Sequence, residues 1–387
     1  MHPFIGGAIP EAELKRMIAE AYASFGHPAV APLKQLDDNQ WLLELFHGPT
    51  LAFKDVAMQL LARLMDWALA KRHSRATIVG ATSGDTGGAA IEAFKSSQHA
   101  SVFMMHPHGR VSDVQRRQMT TVESPSVHNI AIEGNFDDCQ AIVKALFNDR
   151  DFNGRFTLSA VNSINWARLM AQVVYYFYTA VRLGAPERPV AFSVPTGNFG
   201  DVFAGYVAQR MGLPVAKLIV ATNVNDILHR ALTTGDYSCG TVTATATPSM
   251  DIQVSSNFER LLFDLAGRDG KGLAKMMADF ESTRAMTIPA DMLAGSKDLF
   301  VSARIDADGM SDVMRWAHER TDQVIDPHTA IGLAAALEKA GKRLGLTARL
   351  VPMRFAEAAI DVDKPSDHAL AEQILKRRSD EAQTTAD

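Results

Sequence analysis

Short apolar runs alternate with amphipathic stretches along the chain. Where apolar side chains recur every three to four residues we predict helices, and where a short apolar run ends at glycine or polar residues we predict strands. The predicted helices cover residues 11–25, 54–69, 87–95, 136–147, 165–183, 202–211 and 327–341. The predicted strands cover residues 41–46, 76–80, 101–105, 127–132, 189–194 and 218–222.

The order strand, loop, helix repeats between residues 76 and 222. Parallel strands need a crossover connection, usually a helix, so this repeat indicates parallel βαβ units and an α/β fold. Residues 235–248 are rich in glycine, threonine and serine and are predicted to form a long connection.

Composition excludes several classes of protein. The chain has 387 residues, 47% of them hydrophobic and 21% charged, as in a globular protein. Its net charge of −5 gives no support to a nucleic-acid partner or an anionic membrane. The 2 cysteines, Cys139 and Cys239, exclude a disulfide framework and a four-cysteine zinc site. No metal is expected. The apolar run 169–181 is too short to span a bilayer, and charged residues follow the N-terminus, so we expect a cytoplasmic enzyme.

Lys54 is the first candidate for chemistry. It is predicted to begin a helix, among Leu51, Ala52, Phe53 and Val56. Apolar surroundings and the positive end of a helix both disfavour the ammonium, leaving the nucleophilic amine that forms Schiff bases. On composition alone, the pattern favours the alternative of a surface lysine whose stem packs against apolar groups.

Two glycine-rich loops each follow a predicted strand and precede a predicted helix. They are residues 80–88, with sequence GATSGDTGG, and residues 194–201, with sequence VPTGNFGD. Exposed amides and hydroxyls at such turns bind carboxylate or phosphate groups. Neither loop has Walker A or Gly-x-Gly-x-x-Gly spacing. Together they suggest that two anionic groups are bound at once.

Residues 161–168, with sequence VNSINWAR, form the fourth segment of interest. Asn162 or Ser163 is predicted to cap the helix that follows. Arg168, one turn inside, can reach a phosphate with its bidentate guanidinium. A capped helix with an exposed arginine is the alternative.

These four segments, taken together and in this order, resemble the threonine synthases. Four further stretches also resemble the family, at residues 115–119, 136–140, 249–252 and 326–330. The resemblance runs from about residue 3 to residue 358. It implies the tryptophan-synthase-β-like fold, which is fold type II of the pyridoxal-phosphate enzymes, with two α/β domains and the cofactor between them. The implied smaller domain covers residues 75–160, and the larger one covers 1–74 and 161–387.

The resemblance also implies an activity: pyridoxal 5'-phosphate-dependent conversion of O-phospho-L-homoserine and water to L-threonine and phosphate. By that resemblance Lys54 forms the Schiff base with the cofactor, and Asp85 lies near the cofactor hydroxyl. The cofactor phosphate is bound by Gly197, Asn198, Phe199, Gly200 and Asp201. The substrate is met by Thr82, Ser83 and Thr86, and its phosphate by Asn162, Ser163 and Arg168. A monomer or a homodimer is expected.

Two features depart from the family pattern. The chain begins at Met1, inside what would be the family's second helical region, so an N-terminal family segment is expected to be missing. Near the end, the register through Pro352 and Phe355 puts Arg349 where the family has a threonine at the pyridine nitrogen. This predicts weak cofactor affinity and slow turnover, with Arg349→Thr raising one or both. These departures make a weakly active or non-catalytic relative one alternative. A phospho-lyase that uses the same lysine and phosphate sites but releases 2-oxobutyrate is the other.

Two further residues have open interpretations. Cys139 lies among apolar neighbours on a predicted helix, which favours a buried thiol over a reactive one. His328 follows Asp326-Pro327 at a helix start. It either belongs to the helix cap or lines the site.

Overall fold

The computed structural model of the chain describes residues 1–82, 84–341 and 349–354. A six-stranded sheet has the order β1-β2-β10-β7-β8-β9, and its strands are parallel except for the antiparallel pair β1 and β2. Its strands are β1 (Leu33–Asp37), β2 (Gln40–Glu44), β7 (Val190–Pro195), β8 (Val215–Thr222), β9 (Phe300–Arg304) and β10 (Arg349–Arg354).

A four-stranded, fully parallel sheet has the order β5-β4-β3-β6. Its strands are β3 (Ala76–Ala81), β4 (Ala100–Pro107), β5 (Val127–Ile132) and β6 (Leu158–Ser159). All of them lie between residues 76 and 159; the division of the chain into two domains itself stays a prediction.

Helices connect the strands and cover the sheets. They are α1 (His2–Ile5), α2 (Glu11–Tyr22), α3 (Lys54–Lys71), α4 (Asp85–Phe94), α5 (Asp113–Thr120), α6 (Phe136–Asn148), α7 (Arg150–Phe156), α8 (Trp166–Arg182), α9 (Gly200–Arg210), α10 (Ile227–Thr234), α11 (Phe258–Leu265), α12 (Gly270–Thr283), α13 (Ala290–Ala294), α14 (Ala307–Thr321) and α15 (Pro327–Gly341). Over the described part of the chain, none of them combines the length and apolar character that crossing a membrane requires.

Helix α3 joins two parts of the core. Met58 and Leu61 pack in a cluster with residues of β3, α4 and β4. On another face of the helix, Leu60 and Leu64 pack with α2 and with Met170 of α8. Because α3 is buried on both faces, its first residue, Lys54, is held at a fixed place in the interior.

The predicted strands and helices are confirmed as elements, with boundary shifts of a few residues. The pattern missed the edge strands β1 and β9, strand β10, and several helices, α11 and α12 among them. Strand β10 lies where the departure near the C-terminus was predicted, and its backbone pairs Arg349 with Val190. The side chain of Arg349 lies outside the described part of the chain, so its role stays a prediction.

Candidate active site

Lys54 is a buried residue, only 8% exposed, at the first position of α3. Its Nζ donates a hydrogen bond to Oδ2 of Asp85 and lies 4.6 Å from the centre of the Phe53 ring. The interpretation of Lys54 as a surface lysine is therefore wrong. An amine so enclosed can react only with a group that enters its own cavity.

Asp85 begins α4, where a carboxylate is stabilised by the positive end of the helix. Besides Lys54, its Oδ2 accepts a hydrogen bond of 2.9 Å from the Ser249 hydroxyl, and its Oδ1 accepts one of 2.6 Å from the amide of Thr86. The carboxylate thus connects the α4 start, the lysine and the segment around Ser249. It is placed to hold a proton of the Lys54 amine.

Asp55 fixes the turn that leads into Lys54. Its Oδ2 accepts a hydrogen bond of 2.7 Å from the Thr50 amide, and its Oδ1 accepts one of 2.8 Å from the Thr50 hydroxyl. A Cβ on Gly48 would lie 2.4 Å from the Asp55 Cβ, so only glycine fits there. Burial raises the pKa of Asp55 to about 7, although the Thr50 bonds act in the opposite direction.

The glycine-rich segment 196–200 follows β7 and ends at the first residue of α9; it is called the 196–200 loop. Gly197 lies so close to the segment after residue 248 that a Cβ would be 2.4 Å from the Ser249 carbonyl oxygen. Phe199 adopts a left-handed backbone conformation, with φ of 61°, and its ring is buried against Phe258. This buried ring fixes the loop at the N-terminus of α9, where backbone amides are available to an anion.

Asn257 connects two of the predicted anion-binding segments. Its Nδ2 donates to the carbonyl of Ser163 at 3.2 Å and to that of Asn198 at 3.0 Å, and the residue is fully buried. Its Oδ1 accepts a hydrogen bond from Arg260 at 3.1 Å. One side chain therefore sets the distance between the residue 163 segment and the 196–200 loop.

Arg168 lies in the first turn of α8 and is 4% exposed, so the interpretation as an exposed arginine is wrong. Its Nη1 donates to the Val161 carbonyl at 3.0 Å. The predicted caps are also wrong: Asn165 caps the helix, by accepting a hydrogen bond of 3.0 Å from the Ala167 amide. Asn162 is exposed, while Ser163 binds the Ser256 hydroxyl at 3.0 Å.

A cavity of about 80 Å³ brings most of the predicted residues together. It is lined by Phe53, Lys54, Ser163, Arg168, Gln172, Pro195, Thr196, Gly197, Asn198, Phe199, Gly200, Asp201, Ser249, Met250 and His328. Of the other predicted residues, Asp85 contacts Lys54 from outside this lining, and Thr82, Thr86 and Asn162 are not among the described residues that line it. Ser83 lies outside the described part of the chain.

Similarity to known proteins identifies the family of this chain. Residues 27–291 match the family model described as "Pyridoxal-phosphate dependent enzyme". The chain is 54% identical over 364 residues to the threonine synthase of Pseudomonas aeruginosa, covering 92% of this chain and 77% of that one. The chain belongs to the threonine synthase family. The Saccharomyces cerevisiae threonine synthase is 42% identical, with 84% of this chain and 69% of the yeast chain covered.

Solved structures of this family share the fold. The PLP-bound threonine synthase from Brucella melitensis superimposes with a TM-score of 0.89 at 54% identity, covering 92% of this chain and 76% of that chain. The yeast threonine synthase superimposes with a TM-score of 0.87 at 39% identity, covering 92% and 75%. The expected tryptophan-synthase-β-like α/β fold is thereby confirmed.

His328 belongs to the site of this threonine synthase family member. It is 2% exposed and lines the cavity, so one of the two interpretations of the sequence is confirmed. Asp326, just before α15, caps the helix instead, by accepting a hydrogen bond of 3.0 Å from the Thr329 amide. Burial lowers the pKa of His328, which keeps the ring neutral at neutral pH.

Ser249, Asn257 and Gln172 were missed as site residues by sequence reasoning. The segment 249–252 is similar to the family, but that similarity gave Ser249 no role. Asn257 carries no local signal, because its two acceptors are distant along the chain. A larger cavity, of about 730 Å³, lies between Trp166, Tyr206 and Phe263, away from Lys54. Size alone therefore does not locate the chemistry.

Cys139 is fully buried, as predicted, and burial raises the pKa of its thiol. It packs with Val79 and Met105 under the four-stranded sheet. This thiol is a core residue and is not part of the site.

Proposed function

We propose that this chain uses pyridoxal 5'-phosphate to convert O-phospho-L-homoserine and water to L-threonine and phosphate. The observation that carries the proposal is one cavity, which is lined by the buried Lys54, the buried Arg168 and the glycine-rich loop at the N-terminus of α9. The chain that contains it belongs to the threonine synthase family.

The residues of this cavity fit pyridoxal phosphate. The loop 197–200 approaches Ser249 too closely for any residue but glycine at position 197, and so presents bare backbone at the start of α9. Backbone amides at a helix N-terminus suit the phosphate group, and the amine of Lys54 lines the same cavity and suits the aldehyde. When bound, the cofactor supplies an electron sink for carbanions.

Lys54 is assigned the proton transfers. Its amine lines the cavity, and Asp85 accepts its hydrogen bond. Asp85, itself held by Ser249, keeps the amine oriented and shares its proton. Neutral His328 and the apolar Phe53 and Met250, which line the same cavity, add no charge of their own.

Arg168 is assigned the substrate phosphate. Arg168 is buried and lines the cavity, as Ser163 does. A bidentate arginine stabilises the negative charge that grows on a leaving phosphate. Because Asn257 ties the Ser163 segment to the 196–200 loop, the two anion sites keep a fixed spacing.

The remaining substrate contacts are assigned to residues 82–86 and to Asn162. Thr82 shapes its own loop, since its hydroxyl accepts hydrogen bonds from the amides of Gly84 at 3.0 Å and Gly87 at 2.9 Å. Thr86 follows Asp85 and is half-buried, which leaves it available to the amino-acid end of a substrate. We also propose a cytoplasmic location, supported by two free thiols.

Product analysis tests the function. Purified protein is incubated with pyridoxal phosphate and O-phospho-L-homoserine, and phosphate, threonine and 2-oxobutyrate are measured together. Equal amounts of phosphate and threonine are expected, and neither product from Lys54→Ala. Phosphate with 2-oxobutyrate would identify a phospho-lyase instead, and cofactor binding without phosphate release would identify a non-catalytic relative.

A further inference from the structure

Asp201 has an uneven set of hydrogen bonds. Its Oδ1 accepts from the Tyr175 hydroxyl at 2.6 Å and from the Tyr176 hydroxyl at 2.9 Å. Its Oδ2 is buried and has no hydrogen-bond partner among the described residues. The residue is only 8% exposed and lines the cavity beside the 196–200 loop.

A buried carboxyl oxygen without a donor is unfavourable when it carries charge. The neutral acid avoids this cost. Its Oδ1 is then the carbonyl oxygen that accepts the two hydrogen bonds, and its Oδ2 carries a proton that it can donate. A phosphate oxygen in the cavity is the acceptor that such a proton requires.

We propose that Asp201 takes up a proton from solvent when a phosphate ester occupies the cavity, and that its Oδ2–H donates a hydrogen bond to that phosphate. The carboxyl group would then bind the anion that its ionised form would repel. This inference rests on the proposed pyridoxal-phosphate site.

The charged and titratable groups around Asp201 are compatible with this coupling. Burial raises the pKa of Asp201 to about 6, while the two tyrosine bonds act to lower it. Tyr175 and Tyr176 stay neutral, because burial raises their pKa values. Arg168 on α8, Lys54 on α3 and His328 on α15 line the same cavity, and an arriving phosphate adds a negative charge that raises the pKa of Asp201 further.

The test compares wild type with Asp201→Asn. The asparagine keeps an acceptor for both tyrosines and a permanent donor for the phosphate, but cannot titrate. Pyridoxal phosphate affinity is measured by absorbance between pH 6 and 9, and proton uptake by calorimetry in buffers of different ionisation enthalpy. The cofactor's own titration and the reaction with Lys54 are common to both proteins and cancel in the ratio of affinities.

The wild type is expected to lose affinity relative to Asp201→Asn by up to about tenfold per pH unit above pH 6. It is also expected to take up as much as one more proton per cofactor than the variant. A ratio of affinities that is constant across the pH range, with equal proton uptake, overturns the inference and leaves the proposed function standing. Failure of the wild type to bind pyridoxal phosphate at any pH overturns both.

Tyr175→Phe provides a second test that does not depend on the asparagine variant. Removing one donor to Oδ1 raises the pKa of Asp201, so the fall in affinity moves to higher pH. The matched control is Tyr206→Phe, which removes a 3.1 Å tyrosine–carboxylate bond to Asp264 at the larger cavity. The control is expected to keep the wild-type pH profile, and an unshifted profile in Tyr175→Phe contradicts the inference.

Discussion

Replacing Asn257 by alanine perturbs both proposed anion sites through one buried side chain. The change removes hydrogen bonds to the carbonyls of Ser163 and Asn198, which belong to different segments of the cavity wall. The Asn198 carbonyl keeps the backbone amide of residue 257 at 3.1 Å, so the Ser163 carbonyl suffers more. The link between the two segments is weakened, while the residues that line the cavity remain.

The magnitude follows from the bonds lost. The bond that Oδ1 accepts from Arg260 is lost as well. Each buried hydrogen bond contributes about 0.5–1.5 kcal/mol, so the two that hold the cavity segments alone give about 1–3 kcal/mol. If that free energy is lost from the folded arrangement that binds ligands, affinity for pyridoxal phosphate falls about 5- to 150-fold, since about 1.4 kcal/mol is tenfold. The affinity for O-phospho-L-homoserine should fall with it, because the Ser163 segment is displaced too.

The assay measures cofactor affinity by absorbance and substrate KM by phosphate release. The matched control is Asn129→Ala, which removes a 2.9 Å amide bond to the Met119 carbonyl beside the four-stranded sheet. The control should lower thermal stability and leave both affinities unchanged. If Asn257→Ala binds cofactor and substrate as the wild type does, the side chain does not set the spacing of the two sites.

Arg168→Ala should lower kcat/KM for O-phospho-L-homoserine, because it removes about 2–4 kcal/mol of transition-state binding, and should leave pyridoxal phosphate affinity unchanged. Loss of pyridoxal phosphate with substrate affinity unchanged would mean that Arg168 binds the cofactor phosphate and not the substrate phosphate. Gly197→Ala should destabilise the fold by about 1–3 kcal/mol and weaken cofactor binding, because the new Cβ meets a backbone oxygen; Gly154→Ala, where the Cβ meets open space, is the control, and equal behaviour of the two variants contradicts the loop geometry. In Asp55→Asn the side-chain oxygen can still accept from the Thr50 amide, and the side-chain NH2 can donate to the Thr50 hydroxyl, but the group does not titrate. Because folding raises the pKa of Asp55 from 3.8 to about 7, its contribution to stability is present below pH 4 and is lost as the pH rises through 7; denaturant unfolding from pH 4 to 8 should show this loss in wild type and a flatter curve in the variant.

The elements that the sequence predicted well are those with local causes. Strands β3, β4, β5 and β7 are short apolar runs with turn residues after them, and α3 and α6 carry clear helical periodicity. Strand β10 lies between β2 and β7, which are distant along the chain. Its identity as a strand depends on those partners and not on its own pattern.

The candidate site divides in the same way. Lys54, Arg168 and the loop 197–201 were found because their motifs are contiguous in sequence. The burial of Lys54 was not predictable from its neighbours, since Asp85, which accepts its hydrogen bond, and Ser249, which donates to Asp85, come from other segments. The cap by Asn165 was missed because Asn162, Ser163 and Asn165, three polar residues within four positions, offer similar capping groups, and only the backbone path selects one of them.

The most direct test of this account is to find which lysine holds the cofactor. The protein is incubated with pyridoxal phosphate, reduced with borohydride, digested, and the labelled peptide identified by mass spectrometry. We expect the label on Lys54 alone, and its loss in Lys54→Ala under conditions where the variant remains folded. A label on another lysine, or none on the folded wild-type protein, would contradict the assignment of this cavity as the active site.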